Sequence, residues 1–70
     1  MNNNANLASE FFYIGLEKFK LNLLSEAESY FKKSLELLPD RLSTITNYSA
    51  VLIKMGNLDM AKSVIDNAIK

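Results

Sequence analysis

The chain repeats itself at an offset of 34 residues, and that feature narrows its fold more than any other. Displaced by that amount, Phe11 falls on Ile45, Ile14 on Tyr48, Gly15 on Ser49 and Phe19 on Ile53. Further along, Asn22 falls on Gly56, Leu24 on Leu58, Ala27 on Ala61, Phe31 on Ile65 and Ser34 on Ala68. Large side chains meet large ones, small meet small, and a turn former meets a turn former. A unit of that length cannot bury its apolar face alone, so neighbouring units must stack around a shared core.

Each unit reads as a pair of helices. From Leu7 to Leu21 the apolar residues keep helical spacing, with Leu7, Phe11, Ile14 and Gly15 as the stripe expected to face the core. Asn22 interrupts this helix, since asparagine tolerates the left-handed conformation that ends one. Ser25-Glu26-Ala27-Glu28 has the form of a capping box, in which the Ser25 hydroxyl accepts from the Glu28 N–H. The second helix carries Ala27, Tyr30, Phe31, Ser34, Leu35 and Leu38 inward. Pro39 stops it, because proline disfavours helical geometry in the residue before it. Asp40 is placed to cap a third helix with Ile45, Tyr48, Ser49 and Leu52 on its core side. Gly56-Asn57 closes that helix, and a fourth from Leu58 shows Ala61, Val64, Ile65, Ala68 and Ile69 at helical spacing. No stretch alternates as a half-buried strand does. The expected fold is all-α: two antiparallel helix-turn-helix hairpins, four helices in all, stacked as a fragment of an α-solenoid. Residues 1–6 are expected to form a flexible Asn-rich leader, with 7–40 and 41–70 as the two repeats.

Composition removes several classes of function. The chain has no cysteine and no histidine, so disulfides, the commonest soft metal ligands and the commonest general base are missing. Eight Lys+Arg balance eight Asp+Glu, which leaves no basic surplus for nucleic-acid phosphates. No apolar run approaches the roughly 20 residues that span a bilayer, and residues 1–6 lack the basic and apolar segments of a secretory signal. Glu26 and Glu28 point away from each other on a helix, while Glu10, Glu17, Asp59 and Asp66 fall on exposed faces. Glu28–Lys32 and Asp66–Lys70 read as solvated i,i+4 pairs. The two glycines, Gly15 and Gly56, make no phosphate-binding loop. The expectation is a cytoplasmic protein without enzymatic activity, cofactor, metal, nucleic-acid partner or membrane partner.

The 34-residue period, with Phe11, Ile14, Gly15, Ala27, Phe31, Ser34 and Pro39 in the first unit, resembles the tetratricopeptide repeat. The second unit shows the same pattern in Ile45, Tyr48, Ser49, Leu52, Gly56, Ala61, Ile65 and Ala68. Lys18, Asn22 and Ser34 depart from the usual aromatic, glycine and alanine. The resemblance implies a protein-binding scaffold, whose concave groove is lined by the first helix of each repeat and holds a peptide or helix of a partner. It places Ser9, Phe12, Leu16, Phe19 and Lys20 on that side, with Ser43, Thr46, Ala50, Ile53 and Lys54 in the second repeat. Family members that clamp a C-terminal carboxylate use lysine and asparagine in the first repeat and asparagine in the second. Here Phe12 and Leu16 stand in the first two places and only Asn47 matches, so that function is not expected and Asn47 reads as a local hydrogen-bonding residue. The implied groove of Phe12, Leu16, Phe19, Lys20, Asn47, Ala50, Ile53 and Lys54 is apolar instead, with Phe12 and Leu16 as anchors. In the alternative, Phe19 and Ile53 pack between helices and only Phe12 and Leu16 are exposed.

The last helix raises a separate expectation. Repeat arrays close with a polar-faced cap, whereas Val64, Ile65, Ala68 and Ile69 leave an apolar edge. Either the chain is the N-terminal module of a longer protein, or that edge is covered by association into a homo-oligomer or by another protein. Leu38-Pro39-Asp40-Arg41 and the 47–52 stretch look similar to repeats that precede transferase domains in bacterial multidomain proteins, a likeness that implies nothing catalytic within these residues.

Overall fold

The computed structural model describes residues 3–68, with the backbone alone at Ala68. Four helices follow one another: α1 (Asn4–Lys20), α2 (Leu24–Leu37), α3 (Leu42–Lys54) and α4 (Leu58–Ala68). Among the described residues there is no strand. α1 begins ahead of Leu7, so part of the expected leader, from Asn4 to Asn6, is helical, and residues 1 and 2 lie outside the described residues.

The repeat is visible in the backbone. α1 and α3 end 34 residues apart, as α2 and α4 begin. Asn22, at φ 62°, and Gly56, at φ 81°, hold the left-handed conformation at equivalent places. The Asn22 and Leu23 N–H groups donate to the carbonyls of Phe19 and Lys18, and those of Gly56 and Asn57 donate to Ile53 and Leu52. Both turns are therefore Schellman motifs, which satisfy carbonyls left open at a helix end.

Two helix starts differ from the sequence expectation. The turn at Asn22 delivers the chain directly into α2 at Leu24, with Leu23 at the N-cap and no side-chain capping bond. Ser25 thus lies inside the first turn, and the capping box does not form. At α3 the N-cap is Arg41 rather than Asp40, again without a side-chain bond. Leu38 has the extended backbone that Pro39 imposes, at φ −135° and ψ 87°, and the turn spends Asp40 before the helix begins. α4 does receive a side-chain cap, the Met60 N–H donating to Asn57 Oδ1 at 3.3 Å.

α2 packs against both α1 and α3, α1 touches α3, and α4 packs on α3. The body measures 39 × 31 × 14 Å, a thickness that fits two helix layers about 9 Å apart. Phe31 fills the centre of the first hairpin at 0% exposure, with the rings of Phe12 and Phe19 at 5.8 and 6.4 Å. Buried Ser34 joins three helices: its hydroxyl donates to the Ala8 carbonyl at 2.7 Å and lies 3.3 Å from Thr44 Oγ1.

The core face of α1 is turned from the expected one. Ala8, Phe12 and Gly15 are buried, with Leu16 and Phe19 packed beside them, whereas Leu7 and Ile14 are exposed. The cause is α3, which covers the Phe12 side of α1. Phe11 lies on the other side, half-buried, with the Tyr30 ring at 6.2 Å and the ammonium of Lys33 at 5.6 Å. In α3 the equivalents Ile45 and Tyr48 are buried, because there a preceding hairpin lies against them.

Candidate functional site

The fold decides which of the expected groove residues meet solvent. Phe12 is 6% exposed, beneath the Arg41 guanidinium at 4.8 Å from its ring, so it is a core residue and not the exposed anchor expected. Arg41 also donates to Ser9 Oγ at 2.8 Å, which locks the start of α3 over α1. Leu16 and Phe19 are half-buried against the core. Lys54 stands over the Phe19 ring at 5.9 Å, bringing these two expected groove residues together, while Lys20 is exposed. Asn47 donates from Nδ2 to the Ser43 carbonyl one turn back, at 2.8 Å. Ile53 is 52% exposed, contrary to the alternative in which it packs between helices.

What remains open lies on the second hairpin. Leu42, Ile45, Thr46, Ser49, Ala50, Ile53 and Ile65 line a groove between α3 and α4 of about 340 Å³. No lining residue carries a charge. Ser49 Oγ, on a residue only 5% exposed, has no hydrogen-bond partner among the described residues. Ala50 and Ile53, expected in the concave groove, and Ile65, expected at the edge, thus belong to one surface. Val64 of the expected edge is buried instead. It faces a second cavity of about 410 Å³ between α2 and α4, bounded by Leu35, Pro39, Asp40, Leu42, Ile45 and Asn67. Ile69 lies outside the described residues, as does the side chain of Ala68.

Polar chemistry in the body is sparse. The Tyr48 hydroxyl donates to Glu28 Oε2 at 3.3 Å; burial first, then the Glu28 charge and hydrogen bond, hold its pKa above the usual 10.0. Lys18 pairs with Glu26 across the first hairpin at 3.3 Å. Among the described residues no three His, Cys, Asp or Glu side chains are grouped as a metal site would need, and no helix is long and apolar enough to cross a membrane.

Comparison with protein-family models, with curated proteins and with solved structures found no match.

Sequence reasoning missed the role of Phe12 because α1 carries two apolar stripes, Phe11–Ile14 and Phe12–Leu16–Phe19, and either satisfies helical spacing. The 34-residue comparison held a further signal. Phe12, Leu16, Phe19 and Phe31 of the first unit correspond to Thr46, Ala50, Ile53 and Ile65 of the second. Every one of those replacements is smaller, and together they open the α3–α4 groove.

Proposed function

We propose that the chain is a non-enzymatic protein-interaction module of the tetratricopeptide type, which holds an apolar helix or extended segment of a partner protein. Its working compartment in this reading is the cytoplasm. The observation that carries the reading is the α3–α4 groove, apolar along its length and open to solvent. Exposed apolar surface gathered in one concavity is the usual form of a recognition site. The backbone repeat, with matched Schellman turns 34 residues apart, supports the family assignment.

The test is a titration of isotope-labelled chain with amphipathic helical peptides, followed by amide chemical shifts. Shifts clustered on Leu42, Thr46, Ala50, Ile53 and Ile65, lost in an Ala50→Arg variant, are expected. An acidic peptide with a free C-terminal carboxylate should leave them unmoved, and selective binding of that peptide would overturn the reading.

A second reading is a self-assembling structural unit, a homo-oligomer formed through the same face. Leu42, Ile53 and Ile65 favour it, since all three line that face and are large, apolar and exposed. Mass measured by light scattering over a range of concentrations tests it: a mass that does not change rejects self-assembly.

A further inference from the structure

α1 carries a second apolar face, on the side turned away from α3. Leu7, Ile14 and Leu21 recur along it and are exposed, and half-buried Phe11 lies between the first two. With Lys18 they form a stripe whose steps alternate between four and three residues, the spacing of a seam between two helices. Single exposed apolar residues are ordinary on a protein surface, whereas a continuous stripe of them is contact surface.

The two flanks of this stripe carry opposite charge. On one, Glu10 and Glu17 are exposed and make no ion pair among the described residues. The other flank belongs to α2, which packs over Ala8 and Gly15 through Ser34 and Phe31. There the Lys33 ammonium stands 5.6 Å from the Phe11 ring and 5.4 Å from that of Tyr30. The carboxylate on that flank, Glu26, is taken up by Lys18 at 3.3 Å. Glu10 and Lys33 therefore lie at nearly one height along α1, on either side of Phe11. A second copy packed parallel, about a two-fold axis that runs along α1, sets Glu10 of each copy beside Lys33 of the other. Antiparallel packing instead brings Glu10 next to Glu17 and repels. A surface of one sign would meet one flank of its own sign, so the face fits its own image better than a membrane or a nucleic acid.

We propose that the outer face of α1 is a two-fold interface at which two copies of this chain pair in parallel. Leu7, Phe11, Ile14 and Leu21 form the seam, each against its own equivalent, and Glu10–Lys33 pairs on both sides fix the direction. Lys18 needs no partner across the seam, because Glu26 already neutralises it. The face lies away from α3, so the α3–α4 groove of each copy stays open, and this inference stands apart from the reading of that groove.

Sedimentation equilibrium and oxidative cross-linking test it. With concentration rising to about 1 mM, the wild-type mass should climb from monomer to dimer and stop there, because a two-fold contact closes on itself. Glu10→Lys alters only an exposed position and should weaken the dimer about ten-fold, since it sets two ammonium groups side by side. Lys33→Glu should weaken it as well, and the two substitutions together should restore it, with both pairs reversed. Ala50→Arg, in the α3–α4 groove, should change nothing. Leu7→Cys, oxidised with glutathione disulfide, should yield a covalent dimer, because parallel packing sets equivalent positions opposite each other and the chain has no other cysteine. Ser63→Cys, exposed on α4, should stay monomeric under the same conditions. Should Lys33→Glu lose its fold with its ring contacts, the Leu7→Cys result still decides, since it leaves both flanks intact. A wild type that stays monomeric, or grows beyond the dimer, overturns the proposal. So does a dimer lost in Ala50→Arg, which would move the contact to the groove, or a Leu7→Cys chain that fails to cross-link.

Discussion

A β-carbon at Gly15 would stand 2.7 Å from Cε1 and 2.8 Å from Cδ1 of Phe31. The α1 backbone thus lies directly against the central ring of the core. That ring is fully buried, with Phe12 and Phe19 near it, and has little room to retreat. Gly15→Ala gains helix propensity worth about 1 kcal/mol and incurs overpacking of about 1–3 kcal/mol. The expected outcome in urea unfolding is a net loss of about 1 kcal/mol, partly relieved by Phe31→Leu in the same chain. A Gly15→Ala variant more stable than the wild type would show that the ring moves freely.

Phe12 and Ile53 should separate stability from recognition. Phe12→Ala opens a cavity in the aromatic cluster and should destabilise by about 3–5 kcal/mol, as core aromatics do. Ile53→Glu places its charge at a half-exposed position and should leave the thermal melt within a few degrees of the wild type, while abolishing peptide-induced shifts in the α3–α4 groove. Circular dichroism melts beside the peptide titration check both. A collapse of the fold in Ile53→Glu would make that wall of the groove part of the core.

Arg41 holds α3 to α1 through two different contacts, a hydrogen bond to Ser9 and the face of the Phe12 ring. Arg41→Ala should cost about 1–2 kcal/mol. Arg41→Lys should recover only part, since an ammonium does not reproduce the planar guanidinium over a ring. Denaturant midpoints of the three chains decide the point.

Tyr48 gives the fold a dependence on alkaline pH. Its pKa is raised in the folded chain by burial, by the charge of Glu28 and its hydrogen bond, and by the charge of Glu36. The folded state therefore holds the phenolic proton more tightly than the unfolded state. This contribution to stability is fully present below the ordinary value of 10.0 and is lost as pH rises through the folded pKa. Urea midpoints should fall as pH climbs above about 10, and Tyr48→Phe should flatten that part of the fall. An unchanged slope in the variant would remove Tyr48 as the source.

The helices and their repeat were legible because period, turn formers and size pattern are local properties of the chain. Asn22, Gly56 and Pro39 announced their roles for the same reason: each fixes its own backbone or its neighbour's. Capping was less legible. Ser25 and Asp40 have suitable chemistry, but one residue of drift in a preceding turn decides whether a side chain meets an open N–H. The facing of α1 was illegible for another reason. Its two stripes are equally apolar, and only the arrival of α3, thirty residues later, selects Phe12 over Phe11 and Ile14. Ala50 and Ile53 belong to the expected concave side and Ile65 to the expected apolar edge, yet a single groove emerges only once α3 and α4 are laid side by side.

Among the described residues α4 packs on α3 alone, while α2 is held from both sides. Such an arrangement does not open uniformly. The helix with one neighbour is the natural first unit to detach, at a free energy below that of global unfolding. In native-state hydrogen exchange, α4 amides should lose protection ahead of those in α2, and Ile65, one wall of the groove, would leave with them. A bound helix would then bridge α3 and α4 and slow that exchange. Occupancy and the persistence of the last helix become one equilibrium, with a partner read out as the protection of amides it does not touch.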